Sequence, residues 1–455
     1  MDSGLKGDAI MSHRNSQRTL SSLIWVLLCL VFSISCAPSG ERPFRDAALA
    51  AADWVTASAV ETESGRTWPA VPGDESSLNN TLYSGAPGVV LFFLEAYYST
   101  GEELYLEQAR AGADYLLATL SQEKTAGLYA GISGIGFALL ETYKASSDMV
   151  YKQGTEQCLR FLRENTERSG YGVQWGETTD IISGNAGTGL FLLSAGRELE
   201  SPAWIDLAAA AGLRLIELGQ PAEGGLKWAM DPRYPRLMPN FSHGTAGIAY
   251  FLAALYQTTQ EQSFLDAALS GAAYLKTVAH IEDDTCLIFH HEPEGEGLFY
   301  LGWCHGPVGT SRLFYRLYRI TGDREWLDWI ERGARAILES GIPEIEHPGF
   351  WNNVGVCCGS AGVADYFLSL YQVTQEKEYL DFARDLTSQI LSEATQDPTG
   401  MRWVQAEHRS RPEFLQAQTG LMQGAAGIGL WLLRMDAFEQ GKSVRIFLPD
   451  NPFTE

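Results

Sequence analysis

The sequence predicts an all-α protein, an α/α toroid or barrel of seven helical hairpins, with seven inner and seven outer helices. Two phrases that alternate along the chain predict it. The first is Gly-x-x-Gly followed by an apolar run, and it occurs seven times: SGAPGVVLFFL from Ser84, AGISGIGFALL from Ala130, SGNAGTGLFLL from Ser183, HGTAGIAYFLA from His243, HGPVGTSRLFY from His305, CGSAGVADYFL from Cys358 and QGAAGIGLWLL from Gln423. The second has apolar residues at helical spacing and carboxylates in its first turn, as in TGEELYLEQARAGADYLLATL from Thr100 and TGDREWLDWIERGARAILES from Thr321. Further copies begin at Thr259 and Thr374, with weaker ones near Ser147 and Ser201 and a first one, PFRDAALAAADWV, from Pro43.

The first glycines of the apolar phrase stand 46 to 65 residues apart, enough for one helical hairpin and a loop. Its helices are apolar on most faces and so belong inside, whereas the second phrase keeps a charged face for solvent. Neither end of the array carries a polar capping repeat, which favours a closed ring over an open solenoid. Outer-then-inner order sets every inner helix running the same way and every Gly-x-x-Gly at one mouth. Glycine makes up 46 of the 455 residues, above the usual share of about 7%.

The toroid is expected over residues 43–436, with 437–455 as a C-terminal tail. Before it, Lys6, Arg14 and Arg18 precede an apolar run from Leu23 to Phe32 and the small residues leading to Cys36. This is the pattern of an export signal, residues 1–35, resembling the lipobox of bacterial lipoproteins; Cys36 is the residue to be acylated and 36–42 a short tether. A plainly cleaved signal and an uncleaved anchor are the alternatives. The expected location is the bacterial cell envelope, lipid-anchored to a membrane.

Lys plus Arg number 33 against 56 Asp plus Glu, a net charge of −23, which excludes counterion-driven binding to nucleic acid. Beyond the signal region remain Cys158, Cys286, Cys304, Cys357 and Cys358, an odd number that argues against a disulfide framework.

Function is read where the repeats differ. The residue before the first glycine runs Ser84, Ala130, Ser183, His243, His305, Cys358, Gln423, and Asp180, Cys304 and Cys357 lie just outside it. Four consecutive repeats thus bring Asp180, His243, Cys304 with His305, and Cys357 with Cys358 to one mouth. Thiolates with imidazole select zinc; three buried, inert thiols are the plainer alternative. At a helix amino terminus His243 is expected to have a depressed pKa and to serve proton transfer, or else merely to cap. Asp180 is otherwise a helix-entry residue. His290 and His291 have no repeat equivalent and read as solvated loop. Trp175, Trp228, Trp303, Trp351 and Trp403 either line the mouth or cover the core.

The segments DIISGNAG from Asp180, SHGTAG from Ser242, WCHGPVG from Trp303 and CCGSAG from Cys357 resemble the lanthionine synthetase C-like (LanC-like) cyclases. The resemblance implies an α/α toroid with one Zn²⁺ at its mouth, and addition of a cysteine or small-molecule thiol to a dehydroamino acid to form a thioether. It places the first two metal ligands at Cys304 and Cys357. The third, usually the histidine of a Cys-His-Gly motif, is here Cys358, which implies a three-thiolate site. Asp180 and His243 match the family's acid and base positions, and His305 follows the first ligand where the family has Tyr or His. A non-catalytic zinc-bearing thiol or peptide binder and a glycan-active toroid, the latter needing paired carboxylates such as Asp180 and Asp365, are the competing functions.

Overall fold

A computed structural model describes residues 41–453, save Pro232 and Pro235. The expected signal, Cys36 and most of the tether lie outside the described residues. The chain divides into a unit ending at Pro43 and a compact unit Phe44–Glu455, and the latter holds everything that follows except Pro43, the first residue of α1.

Among the described residues there are fourteen α-helices. Seven are inner: α2 (Ala86–Thr100), α4 (Ile132–Ser146), α6 (Asn185–Glu198), α8 (Thr245–Thr259), α10 (Pro307–Thr321), α12 (Ser360–Thr374) and α14 (Ala425–Glu439). In α8 every residue from Thr245 to Leu255 is buried, as an apolar run hydrophobic on all faces requires. The other seven are outer: α1 (Pro43–Ala57), α3 (Glu103–Thr119), α5 (Met149–Glu164), α7 (Pro202–Leu218), α9 (Gln262–Thr277), α11 (Glu325–Glu339) and α13 (Lys377–Ser392). In α11 only one stripe is buried, Trp326, Leu327, Ile330, Gly333, Ala334, Ala336 and Ile337.

The tight hairpins run inner to outer, the reverse of the expected pairing, because the turn chemistry lies at the end of the inner helix. Thr100, Thr259, Thr321 and Thr374 close inner helices, and their hydroxyls accept from the amides of Glu102, Glu261, Asp323 and Glu376 at 3.1–3.3 Å. The residue between takes a left-handed conformation: Gly101, Gln260, Gly322 and Gln375 have φ of 61–75°. Helix α1 is therefore left without an inner helix before it in the chain, and it completes the outer layer from the other end.

Twelve short strands form six two-stranded antiparallel hairpins that the all-α expectation omitted. Five follow outer helices. Of these, β1–β2 (Val60–Thr62, Gly65–Thr67), β3–β4 (Glu167–Ser169, Gly172–Gln174) and β5–β6 (Gln220–Ala222, Gly225–Lys227) lie on α3, α7 and α9, β7–β8 (Ala279–Glu282, Thr285–Ile288) on α11, and β9–β10 (Thr395–Asp397, Gly400–Arg402) on α1. The last contact closes the outer layer: a Cβ on Gly400 would stand 2.3 Å from the carbonyl oxygen of Ala50, so only glycine allows the approach. The sixth hairpin, β11–β12 (Val404–Ala406, Leu415–Ala417), is an addition of the last repeat.

The inner layer closes likewise. A Cβ on Gly88, in the first inner helix, would be 2.6 Å from the Cβ of Leu421, just before the last. Seven backbone hydrogen bonds run round the mouth: Tyr83 N–H to Tyr129 O, Tyr129 to Ile182, Ile181 to Ser242, Ser242 to Cys304, Cys304 to Cys357, Cys357 to Met422, and Met422 back to Tyr83, all 2.9–3.3 Å. Each inner-helix entry loop is thereby fixed to the next.

Three of the loop tryptophans cover the core and cap helices. The indole N–H groups of Trp175, Trp228 and Trp403 donate to the carbonyls of Leu162, Leu215 and Ile390 at 2.6–2.7 Å, in the last turns of α5, α7 and α13. Trp303 and Trp351 instead border cavities at the mouth.

Residues after α14 turn into the lumen. Glu95 of α2 accepts from the amides of Arg445 and Ile446 at 2.8 and 2.7 Å, Phe453 stacks on Tyr315 of α10 with centroids 4.6 Å apart, and Asp450 is wholly buried. Among the described residues no helix is long and apolar enough to cross a membrane.

Candidate metal centre and active site

The site is built on the ring of entry loops. Cys304 and Cys357 occupy equivalent places two residues before the N-cap glycines Gly306 and Gly359, and the bond from Cys304 N–H to Cys357 O joins them directly. Cys358 follows. Its Sγ lies 3.3 Å from Sγ of Cys304 and 3.3 Å from Sγ of Cys357, and all three sulfurs fall within 4.8 Å of one another. The three are free thiols and buried.

This group is able to hold a metal ion. Tetrahedral thiolates at about 2.3 Å from zinc stand about 3.8 Å apart, so two pairs need spread by only about half an ångström. The donor set fits too, since three thiolates suit a soft or borderline cation and the amino termini of α10 and α12 favour negative charge beside them. Hydrogen bonds from Cys304 and Cys358 hold the Cys357 thiol well below its ordinary pKa despite burial, with Tyr83 and the charge of His243 acting in the same sense. Burial pushes Cys304 up, and its contacts with the other two sulfurs push Cys358 up.

Gln423 and Tyr83, the mouth residues of the last and first repeats, support it. Gln423 Nε2 lies 3.9 Å from Cys358 Sγ and donates to the Tyr83 hydroxyl at 3.2 Å, while that hydroxyl bonds Cys357. Gln423 precedes its repeat glycine as Cys358 does, and Tyr83 stands two before Gly85, as Cys304 and Cys357 stand two before theirs; that equivalence was the signal that could have found Tyr83.

Across the mouth, His243 Nδ1 is 2.5 Å from Asp180 Oδ2, and Asp180 Oδ1 accepts from Ser183 N–H at 2.8 Å. Asp180 is 1% exposed. With Nδ1 engaged, Nε2 is the histidine nitrogen left for chemistry. Burial alone lowers the His243 pKa, but the hydrogen bond and charge of Asp180, with Cys357 beyond, raise it more, and the net direction is up. This reverses the expected depression, because a carboxylate at bonding distance outweighs a helix end.

His290 is no solvated loop residue. Its ring lies 3.9 Å from that of His305 and 4.5 Å from that of Tyr300, and its Nδ1 is 2.9 Å from Nδ1 of His291, which is itself buried. Burial, then the neighbouring His291 and Arg409, push His290 down to about 3, so it is a neutral ring at physiological pH. His305 is pushed well down by burial, and its Nδ1 is buried with no hydrogen-bond partner among the described residues.

Two cavities share Tyr83, His243, Cys304 and Cys357. One, of about 320 Å³, lies over the centre of the ring, with Ser84, Tyr129, Ser242 and Trp303 in its wall. The other, of about 280 Å³, is lined by His290, Tyr300, His305 and Glu407 to Ser410, the first part of the loop that joins β11 to β12. The structure thus brings Asp180, His243, Cys304, His305, Cys357 and Cys358 together. Cys158 and Cys286 are buried elsewhere, and Asp365 is ion-paired with Arg434.

A fold of paired inner and outer helices closed into a ring, with three thiols and an Asp–His pair at one mouth, defines a toroid with a thiol-rich centre. The family described as lanthionine synthetase C-like protein matches residues 76–448, and the chain belongs to that family. Among solved structures it is similar to a nisin cyclase, with a TM-score of 0.60 at 19% identity over 80% of this chain and 89% of that one. It is also similar to the Lin0763 protein from Listeria innocua, with a TM-score of 0.50 at 16% identity over 89% and 99% of the two chains. Among curated proteins, a glutathione S-transferase LANCL1 of Danio rerio is 30% identical over 78 residues, 17% of this chain; the match spans only 18% of that relative's length.

Proposed function

We propose that the protein adds a thiol to a dehydroamino acid, forming a thioether, at a zinc ion held by Cys304, Cys357 and Cys358. The observation that carries this reading is the convergence of three buried thiols, two pairs of them 3.3 Å apart, with a histidine that Asp180 holds: His243, Cys304 and Cys357 line both cavities and Cys358 the outer one. Family membership and the names of two similar proteins, a nisin cyclase and a glutathione S-transferase, support a peptide or small-molecule thiol as substrate.

Zinc held by Cys304, Cys357 and Cys358 would supply the Lewis acidity that makes an incoming thiol a thiolate, a nucleophile at neutral pH, with the thiol's proton released to solvent, from which His243 is reprotonated after each addition. The chain's own residues manage the rest. The sulfur bonds to the β-carbon of the dehydroamino acid, the double-bond electrons move toward the carbonyl as an enolate, and the α-carbon then needs a proton. His243, kept protonated to higher pH by Asp180, delivers it from Nε2. His305, packed against His290 with ring centroids 3.9 Å apart, walls the outer cavity beside the thiols. The test is a purified-protein assay in which a dehydroalanine peptide is offered a thiol. A new thioether with loss of one free thiol is expected; turnover no faster than in buffer would leave a zinc-bearing binder.

The segment before the toroid extends the proposal to location. The pattern ending at Cys36 supports export and acylation of that cysteine, placing the reaction in the cell envelope with secreted peptides or small thiols as substrates. Cys36→Ser should abolish partition of the mature protein into detergent, and persistent membrane binding after signal cleavage would contradict the anchor.

A further inference from the structure

The C-terminal tail carries a carboxylate that no part of the reaction above uses. Asp450, wholly buried in the lumen, receives Arg312 Nη1 at 3.0 Å and Trp303 Nε1 at 3.2 Å on Oδ2, and the Tyr129 hydroxyl at 3.2 Å on both oxygens; Arg312 also donates to its backbone carbonyl at 2.9 Å. Two of these partners, Tyr129 and Trp303, belong to the wall of the central cavity, beside Cys304 and His243. Their rings lie 5.2 Å apart, and Trp303 also packs edge-on against Phe241 at 5.8 Å. Trp303 immediately precedes Cys304 in the chain.

A stopper for the lumen needs no charge. Burying an ion pair seldom gains stability over apolar packing, so an Arg312–Asp450 pair at this depth, with both carboxylate oxygens hydrogen-bonded, points to placement. Residue 450 also lies beyond the 76–448 stretch that the family match covers.

We propose that the tail is part of the active site: Asp450 is a positioning residue that fixes Trp303 and Tyr129 from below, and through Trp303 sets the place of the Cys304 sulfur. The inference rests on the reading that the three thiols are the reactive centre. Groups that orient metal ligands from behind are worth about 10- to 100-fold in metal affinity when removed.

The full-length protein provides the test, with two readouts: Co(II) affinity and absorption spectrum of the thiol site, and the alkylation rate of Cys304 in the metal-free chain. Asp450→Asn should weaken Co(II) binding about 10- to 100-fold, shift the spectrum and change the Cys304 alkylation rate. Trp303→Phe, which removes the indole donor together with part of the ring, should act in the same direction, and the two changes together should be less than additive. Phe453→Ala, on the same tail but stacked on Tyr315, should lower thermal stability and leave both readouts alone. Should Asp450→Asn fail to fold, Trp303→Phe decides. The inference is overturned if Trp303→Phe and any folded Asp450→Asn leave both readouts at wild type, or if Phe453→Ala disturbs them equally. A wild type that takes up no Co(II) would instead overturn the metal reading, and Cys304 alkylation would still decide the role of Asp450.

Discussion

His243 and Asp180, 63 residues apart in sequence, meet at 2.5 Å across the entry loops of two adjacent inner helices. The contact fixes which nitrogen faces the cavity and which way the imidazole titrates. His243→Asn should retain the metal and slow thiol addition by about 10²- to 10⁴-fold, the usual contribution of a proton-transfer group. Loss of metal in that variant would make His243 a ligand. Asp180→Asn should leave zinc in place and move the alkaline limb of the pH–rate profile to lower pH, since the group that raises the His243 pKa is gone.

The metal assignment predicts which cysteines matter. Cys304→Ala, Cys357→Ala and Cys358→Ala should each deplete a stoichiometry of one zinc per chain, measured by atomic emission, whereas Cys158→Ala and Cys286→Ala should not. Depletion by either of the latter two would overturn the assignment.

Cys358 stands where the family more often has histidine. Three thiolates leave Zn²⁺ with a net charge of −1, against zero for two thiolates and a neutral imidazole, so an incoming thiolate is held less tightly and attacks faster. Cys358→His should therefore bind zinc and add thiol more slowly than wild type. A faster variant would count against a charge-based advantage.

Stability should fall as pH rises from about 4.5 to 7, for a reason located in the lumen. Burial raises Glu95 from 4.5 to about 7, with two backbone donors and Arg445 opposing and Glu141 assisting. A carboxyl whose folded pKa is raised contributes stability that is full below pH 4.5 and lost as pH climbs to 7. The shift corresponds to on the order of 3 kcal/mol. Urea unfolding at pH 4.5 and pH 8 should show Glu95→Gln losing less stability between the two than wild type; equal losses would place the pH dependence elsewhere.

Much of this was legible in the sequence because the repeat fixes equivalent positions in space. Once Gly306 and Gly359 are recognised as the same place in two turns of a ring, Cys304 and Cys357 must be neighbours, and His243 must share their mouth. The structure adds what the repeat does not encode. His290 comes from a loop with no equivalent, and reaches His305 through packing between repeats. Asp450 comes from the tail, and its meeting with Trp303 depends on the lumen being hollow enough to admit a strand of chain. The direction of the His243 pKa shift follows from a 2.5 Å contact that spacing alone gives no means to foresee.

The central claim is an open coordination place beside three protein thiolates. X-ray absorption at the zinc edge of the purified protein measures it directly. The account predicts three sulfur ligands at about 2.3 Å and one lighter ligand, with the lighter one replaced by a fourth sulfur when a thiol substrate is added. Four protein ligands before addition, or a spectrum that does not change with thiol, would contradict it.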